Sequence, residues 1–272
     1  MALEVDSDYV RSQILPTLIG HAGRYANHAD PYLLGTLVQQ AIRKVEQRLS
    51  TRVAITHFNG WLGPMARPAN VPAVPATDTT PAVEAVEIEA PYHWPSITPS
   101  DGFLTWKLNI RPIQEVIGGN FIIPGSNTPG IFLKPDWMRV DTNMGEITLM
   151  PQYGAAALVL PNLPFGLFNW MQQRIAHSTL WEYRAGLSES DWDRWPQINR
   201  LIGLEAALKF LPVLSFKINP SGVSSESGDG LSISRSSGYV FKDMAATLQE
   251  EADSISTQIL DAWDGNMALG VL

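Results

Sequence analysis

The sequence has no cysteine, which excludes disulfides, zinc sites built on thiolates and a cysteine nucleophile. Charged residues are also scarce, at 17% of the chain against roughly one quarter in typical globular proteins. Basic residues are the rarer sign: 19 Lys and Arg stand against 27 Asp and Glu, for a net charge of −8. Proteins that bind DNA by neutralising its phosphates need a basic surface, so that class is disfavoured.

The sequence also lacks the patterns of a secretory leader and of a membrane span. Its N-terminus carries acidic residues where a signal peptide has basic ones, and Arg11 and Gln13 interrupt the apolar run. The most apolar later stretch, residues 155–170, is broken by Pro161 and Pro164 and is too short to cross a bilayer. We therefore expect no signal peptide, no membrane segment and synthesis in a cytoplasm.

What the chain does contain is enough apolar sequence for a sizeable core, since 45% of its 272 residues are hydrophobic. Few charges combined with nine tryptophans favour surfaces that partners cover, and so favour an oligomer. The predicted fold class is α+β: a helical bundle with a long C-terminal helix, a small antiparallel β-sheet or barrel, and long extended loops. We expect one domain, with N-terminal helices at 1–56, a Pro-rich extended loop at 57–102, a β-region at 103–165, helices and a Ser/Gly loop at 166–238, and a long helix and C-terminal tail at 239–272.

Three segments have the three-to-four spacing of apolar residues that predicts amphipathic helices. The first begins with Asp30 as N-cap and Pro31 at the first helical position. The second begins at Pro196, and Pro212 is expected to stop or kink it. The third segment is the long C-terminal helix, whose apolar positions are 241, 244, 248, 252, 255, 259 and 262. A further, shorter helix is expected at 9–18.

Short β-rich segments alternate with turn residues in the middle of the chain. A hairpin turn is predicted at 141–145, where Asn143 and Gly145 can take positive φ. Strands are predicted at 85–89, 105–110, 130–133, 138–140 and 145–150.

Other segments are less regular. Twelve of the twenty prolines lie between Pro64 and Pro135, and their extended segment is either a clamp laid over a neighbour or a floppy insertion. Residues 170–180 fit a short helix or a strand that leads into 181–187. Gly118-Gly119 and Gly228-Asp229-Gly230 are both expected to form turns. The Ser- and Gly-rich tract 219–238 is expected to be a loop that is ordered against something.

Carboxylates crowd together in one part of the sequence, at Glu182, Glu189, Asp191 and Asp193. Glycosidases need two carboxylates placed across a sugar, and closeness in sequence does not establish such a placement. The N-terminus of a helix, which favours acidic residues, is the simpler explanation of the D-W-D-R-W segment.

Histidine and serine patterns give no site either. His57, His93 and His177 are isolated in sequence, and His21 with His28 lack a third metal ligand. The serine-rich tract has no G-x-S-x-G elbow. We therefore predict no catalytic, cofactor-binding or metal-binding residues and no enzymatic activity.

Three passages follow one another in the second half of the chain. The first is D-W-x-R-V-D at 136–141, followed by G-E-I-x-L-x-P at 145–151. The second is Y-R-A-G-L at 183–187, and the third is an apolar helix that leads into D-G-L-S-x-S at 229–234. In this order they resemble the head-to-tail adaptor (connector or head-completion) proteins of tailed bacteriophages, over about half of the chain.

The resemblance implies a structural virion protein of the phage neck, at the head-tail junction. Such proteins form a ring, usually of twelve copies, that lies beneath the portal, continues the DNA channel and offers a surface to the tail. The implied partners are further copies of the chain, the portal protein, a tail terminator or other neck proteins, and DNA that passes through without specific binding. An acidic wall suits such a passage because it repels DNA.

The resemblance also implies contact residues in place of a catalytic site. The implied subunit interface consists of Asp229, Gly230, Leu231 and Ser232. The implied portal-binding tail consists of Met267, Leu269, Val271 and Leu272, which are apolar residues at the end of the sequence.

Two alternatives stay open at this point. One is a glycan-binding or glycan-degrading particle protein that uses the tryptophans and the acids between Glu182 and Asp193. The other is a different ring or sleeve in the neck or tail.

Overall fold

The computed structural model describes residues 6–14, 30–59, 85–94, 104–122, 129–149, 175–218, 223–228, 231–236 and 241–264. The fold is mixed α+β, in agreement with the predicted class. The contacts group the chain into two compact units. One unit comprises Met1–Leu49 with Glu189–Leu272, and the other comprises Ser50–Ser188.

Apart from a 3-10 turn at Pro135–Trp137, the described helices belong to the first unit, which we call the helical unit. They are α1 (Ser7–Tyr9), which continues as a π-helical turn (Val10–Ile14), α2 (Pro31–Leu49), α3 (Glu189–Arg194), α4 (Gln197–Ile218) and α5 (Lys242–Trp263). No helix within the described ranges is long and apolar enough to cross a membrane.

The second unit, which we call the β unit, contains nine described strands. They are β1 (Thr56–Asn59), β2 (Ala85–Glu87), β3 (Tyr92–Trp94), β4 (Leu104–Lys107), β5 (Ile113–Ile122), β6 (Pro129–Leu133), β7 (Met138–Asp141), β8 (Glu146–Leu149) and β9 (Ile175–Ala185). Two further strands, β10 (Val223–Gly228) and β11 (Leu231–Ser236), fall in the helical unit.

Helix α2 begins where the sequence predicts. The backbone N–H of Tyr32 donates to Asp30 Oδ1 at 3.0 Å, so Asp30 caps the helix and Pro31 occupies its first position. The predicted apolar face is confirmed, because the buried residues of the helix are Leu34, Leu37, Val38, Ala41, Ile42, Val45 and Leu49.

Helix α4 is the centre of the helical unit, with α2 and α5 packed against it. All seven residues from Leu201 to Ala207 are buried, as expected of a helix that is covered on all sides. A Cβ at Gly203 would lie 2.7 Å from Ile14 Cγ1, so the glycine lets the N-terminal segment approach the helix closely.

Proline 212 does not end α4, which runs on to Ile218. Of the two outcomes predicted for Pro212, a stop or a kink, the stop is therefore wrong. Pro212 is exposed, and its missing N–H removes one backbone hydrogen bond of the helix. The extensive burial of the rest of the helix offsets this local loss.

The largest sheet is built around β9, which the sequence left open between helix and strand. Antiparallel β5 lies along one edge of β9, and antiparallel β1 and β3 lie along the other. Strand β6 extends the sheet beyond β5, and β2 pairs with β1 in parallel. The sheet is therefore mixed rather than purely antiparallel, and Gly118 and Gly119 lie inside β5 instead of forming a turn.

A smaller antiparallel sheet has the order β4-β8-β7. Its β7–β8 hairpin confirms the turn predicted at 141–145, in which Gly145 has a φ of +71° while Asn143 does not take positive φ. Among the described strands the sheets are open, so the barrel alternative is not what these residues form. Three short strands, β1 to β3, fall largely within the range 57–102 that we expected to be an extended loop.

The serine-rich tract contains a β-hairpin, so the prediction of a loop is wrong for these residues. Strands β10 and β11 pair antiparallel in six steps, from Val223 opposite Ser236 to Gly228 opposite Leu231. Among the described strands they pair only with each other. The hairpin lies between α4 and α5 in the sequence.

Candidate functional site

A carboxylate of the β unit receives hydrogen bonds from three side chains. Glu89 lies in the link between β2 and β3, and its Oε2 accepts from the hydroxyl groups of Tyr92 (2.7 Å) and Tyr183 (2.8 Å). Asn109, which follows β4, donates its side-chain amide to Oε1 at 3.3 Å and its backbone N–H to the Tyr92 oxygen at 3.1 Å. The cluster joins segments of the β unit that are distant in sequence.

The electrostatics of this cluster follow from its burial. Burial raises the pKa of Glu89 above its ordinary value, and the hydrogen bonds from Tyr92, Tyr183 and Asn109 oppose that rise without cancelling it. Burial also raises the pKa of both tyrosines, helped by the nearby carboxylate. The hydroxyl groups therefore stay protonated and act as donors.

The arrangement suits a structural polar contact better than proton transfer. Both tyrosine hydroxyls occupy one oxygen of Glu89, and the ring of Tyr183 is fully buried and stacks on Phe58 at 5.0 Å between centroids. Sequence reasoning missed this cluster, because the signal is only a Glu three residues before a Tyr. Such a spacing is common and carries little information.

The histidines meet more closely than their sequence positions suggested. The rings of His93 and His177 lie 4.7 Å apart, and the backbone N–H of His177 donates to His93 Nδ1 at 3.2 Å. His57 Nε2 lies 3.0 Å from Glu182 Oε1. Within the described ranges, however, no group of three or more His, Asp or Glu side chains could hold a metal ion. His21 and His28 lie outside the described residues.

The residues of the glycan alternative are distributed over different elements. Glu182 lies on β9, whereas the other three acids lie on α3, which is a short helix of its own and not just the cap of α4. Trp106 and Trp181 pack edge to face at 5.2 Å between centroids in the core of the β unit. Two further tryptophans, at 192 and 263, are also buried. These four rings serve as core residues and present no face to a sugar.

The Y-R-A-G-L passage has a clear structural reason for its glycine. Gly186 follows β9 with a φ of +126°, a value that residues with a side chain rarely adopt. A Cβ at this position would collide with the carbonyl oxygen of Ala54. The backbone N–H of Gly186 donates to Pro112 and that of Leu187 to Arg52. The glycine thus fixes the end of the central strand against its neighbours.

The predicted contact residues are only partly within the described chain. Leu231 and Ser232 begin β11, opposite Gly228 and Ser227 of β10. The other two residues of the predicted subunit interface, Asp229 and Gly230, lie outside the described residues. The predicted portal-binding tail, Met267, Leu269, Val271 and Leu272, also lies outside them.

Large apolar side chains are exposed in both units. In the helical unit Tyr32 is 84% exposed and Phe216, near the end of α4, is 69% exposed. In the β unit Phe132 is 50% exposed. Single exposed apolar residues are normal on protein surfaces, so they do not define a site by themselves.

No protein-family model and no curated protein matches the sequence.

Proposed function

We propose that the chain is a structural virion protein of a tailed bacteriophage: a non-enzymatic head-to-tail adaptor that forms a ring in the neck, joins the portal to the tail and continues the DNA channel. The proposal rests on the three passages that resemble this family. The observation that supports it most is the position of the last passage, D-G-L-S-x-S, in the β10–β11 hairpin. Among the described strands this hairpin pairs with no third strand, and two-stranded hairpins are marginally stable in water, so a neighbouring copy is the support that we propose for it.

The proposed subunit interface is the tip of this hairpin, at Asp229, Gly230, Leu231 and Ser232. Six residue pairs join β10 to β11, and in the sequence residues 229–230 are ten or more residues from the ends of α4 and α5. We propose that this end of the hairpin contacts a neighbouring subunit. In a ring every copy offers the same tip to the next, so a single weak contact is repeated around the circle.

We assign the finer fold prediction, a helical bundle with a long C-terminal helix, to the body of the adaptor. The helices α2, α4 and α5 contact one another, and α5 has 22 residues, or about 33 Å at the usual rise. Its C-terminal end leads directly to residues 265–272. We propose that this tail docks on the portal through its apolar residues.

The charge of the chain suits a DNA channel. Each copy carries −8, and a ring multiplies this value by its copy number. The wall of such a ring repels the phosphate backbone, so DNA passes through it without being held. The same charge disfavours a function in which the protein holds nucleic acid tightly.

The proposed interface is tested by exchanging its two most distinctive side chains. We expect the double variant Asp229→Ala with Leu231→Ala to lose ring formation while its circular dichroism spectrum and urea unfolding curve stay those of the wild type. Ring size is measured by light scattering on a sizing column, with and without the portal protein of the same phage. Ser237→Ala, just beyond β11, is the matched control and is expected to keep the ring. Rings of unchanged size in the double variant would contradict the assignment of the tip.

A further inference from the structure

We propose that neighbouring subunits are joined by strand addition, with the outer edge of β10 in one copy pairing with the outer edge of β11 in the next. This inference rests on the proposed function, which supplies the ring of identical copies. It goes beyond the contact at the hairpin tip, because it assigns the junction to the backbone of both strands.

The register of the hairpin determines which backbone groups face outward. Gly228 and Leu231 close the hairpin with two residues between them, and the closing pair of such a hairpin is hydrogen-bonded. In an antiparallel ladder hydrogen-bonded and non-hydrogen-bonded pairs alternate. The next pair, Ser227 with Ser232, therefore directs its N–H and C=O groups outward. By the same alternation the outward-facing backbone groups belong to Val223, Ser225 and Ser227 on β10, and to Ser232, Ser234 and Ser236 on β11.

Within the described strands, the outer edges lack three common protections against strand pairing. Natural edge strands are protected by lysine, by proline or by a bulge. Neither β10 nor β11 contains lysine or proline, and their six pairs run without a register shift. The charged residues Glu226 and Arg235 fall at the inward, hydrogen-bonded positions of the ladder. The outward positions are five serines and one valine.

The two outer edges of the hairpin differ from each other. We therefore infer that the partner of each edge is the opposite edge of another copy of the chain, so that the copies are joined head to tail. Pairing β10 of one copy with β11 of the next is a heterologous contact, and such contacts close into rings when the rotation fits. Closure also pairs every strand edge, which removes the aggregation hazard of a free edge. Twelve copies with two strands each would form a sheet of about 115 Å circumference and about 37 Å diameter at the usual strand spacing. Such a bore is wide enough for a DNA duplex.

The test blocks one edge at a time. Ser225→Pro removes an outward N–H from β10, and Ser234→Pro does the same on β11, while the inward ladder keeps its hydrogen bonds. Ser225→Ala and Ser234→Ala are the matched controls, because they keep the N–H. The mass of the full-length protein is measured by mass photometry, alone and with the portal protein of the same phage. Urea unfolding checks that each variant is folded. If a proline variant does not fold, Ser225→Lys or Ser234→Lys is used in its place, because lysine on an edge strand also prevents pairing.

Head-to-tail addition predicts a specific pattern. Each proline variant alone loses rings at least tenfold, and both alanine variants keep them. An equimolar mixture of the two proline variants, one of them tagged, forms 1:1 dimers that grow no further. The intact β11 edge of the Ser225→Pro variant pairs with the intact β10 edge of the Ser234→Pro variant, and the two remaining edges of the dimer are blocked by proline.

Other results overturn the proposal. Rings in both proline variants would show that the junction lies elsewhere, and would leave the adaptor function intact. Loss of rings in the β10 variant alone would show that the outer edge of β11 takes no part in the junction. A wild-type protein that forms no ring even with the portal protein would contradict the adaptor function itself, together with this inference.

Discussion

Lys44 Nζ lies 2.6 Å from Glu205 Oε2, and the Glu205 side chain has no exposed surface. Arg48 Nη1 lies 3.3 Å from the other oxygen of the same carboxylate, and Arg48 Nη2 also pairs with Asp253. The hydrogen bond from Arg48 lowers the pKa of Asp253. The contribution of the Arg48–Asp253 pair to the stability of the fold is therefore lost as the pH falls through this lowered pKa. One charge network thus connects α2, α4 and α5.

We predict that Glu205→Gln lowers the free energy of unfolding by about 2 kcal/mol, because it removes the charge of a buried carboxylate that two partly exposed cations share. Urea unfolding measures the change. The matched control is Glu251→Gln, which removes a carboxylate paired with Arg200 between α4 and α5, at the surface. The control should cost less than about 1 kcal/mol. Equal losses in the two variants would show that the network contributes no more than a surface pair.

Two glycines are predicted to respond in opposite directions to alanine. Gly186→Ala should destabilise the protein by about 2–3 kcal/mol, because of the positive φ and the collision with Ala54. Gly35→Ala should stabilise it by about 1 kcal/mol, since Gly35 lies inside α2 and a Cβ there meets nothing within 4 Å. Urea unfolding of both variants is the measurement. A neutral Gly186→Ala would contradict the close approach at the end of β9.

The raised pKa of Glu89 predicts a pH dependence of stability. The folded chain holds this proton to higher pH than the unfolded chain, so the wild type loses stability as the pH rises from the ordinary value of 4.5 through the raised one. Glu89→Gln has no proton to lose. Its free energy of unfolding relative to the wild type should therefore rise across that window and then level off.

Urea unfolding from about pH 5 to about pH 8 tests this dependence. Tyr92→Phe is a second test, because it removes a hydrogen bond that lowers the pKa of Glu89 and so extends the window to higher pH. A relative stability that falls with rising pH in Glu89→Gln would show that the hydrogen bonds outweigh burial.

Deletion of residues 265–272 tests the proposed portal contact. We predict that the truncated protein keeps its ring and its unfolding curve but binds the portal protein at least tenfold more weakly, because its apolar docking segment is gone. Surface plasmon resonance with immobilised portal protein measures the affinity. The control replaces Met267, Leu269, Val271 and Leu272 with serine at full length, and should lose affinity equally. Unchanged affinity in both proteins would show that residues 265–272 are not part of the interface with the portal protein.

Much of the helical unit could be predicted because its signals are local. Asp30 and Pro31 set the start of α2, and a one-sided apolar pattern set its buried face. The turn at 141–145 was equally readable from its glycine. The centre of the β unit was harder, because β9 has strands on both edges and its residues 178–181 are all buried. A continuous buried run has no period that distinguishes a strand from a helix.

The hairpin and the Glu89 cluster were missed for different reasons. Serine and glycine content predicted a loop at 219–238 with a turn at Gly228-Asp229-Gly230, and the strands on either side of that turn were not predicted, although Asp-Gly between two strand-length segments is a strong hairpin signal. The contacts of Glu89 with Tyr183 and Asn109 depend on pairings between strands that are far apart in sequence. No local pattern could place these side chains together.

The most direct test of the adaptor function is negative-stain electron microscopy of the purified protein mixed with the portal protein of the same phage. We predict a ring that is stacked coaxially on the portal and continues its channel. Monomers that ignore the portal protein at several salt concentrations would contradict the adaptor function.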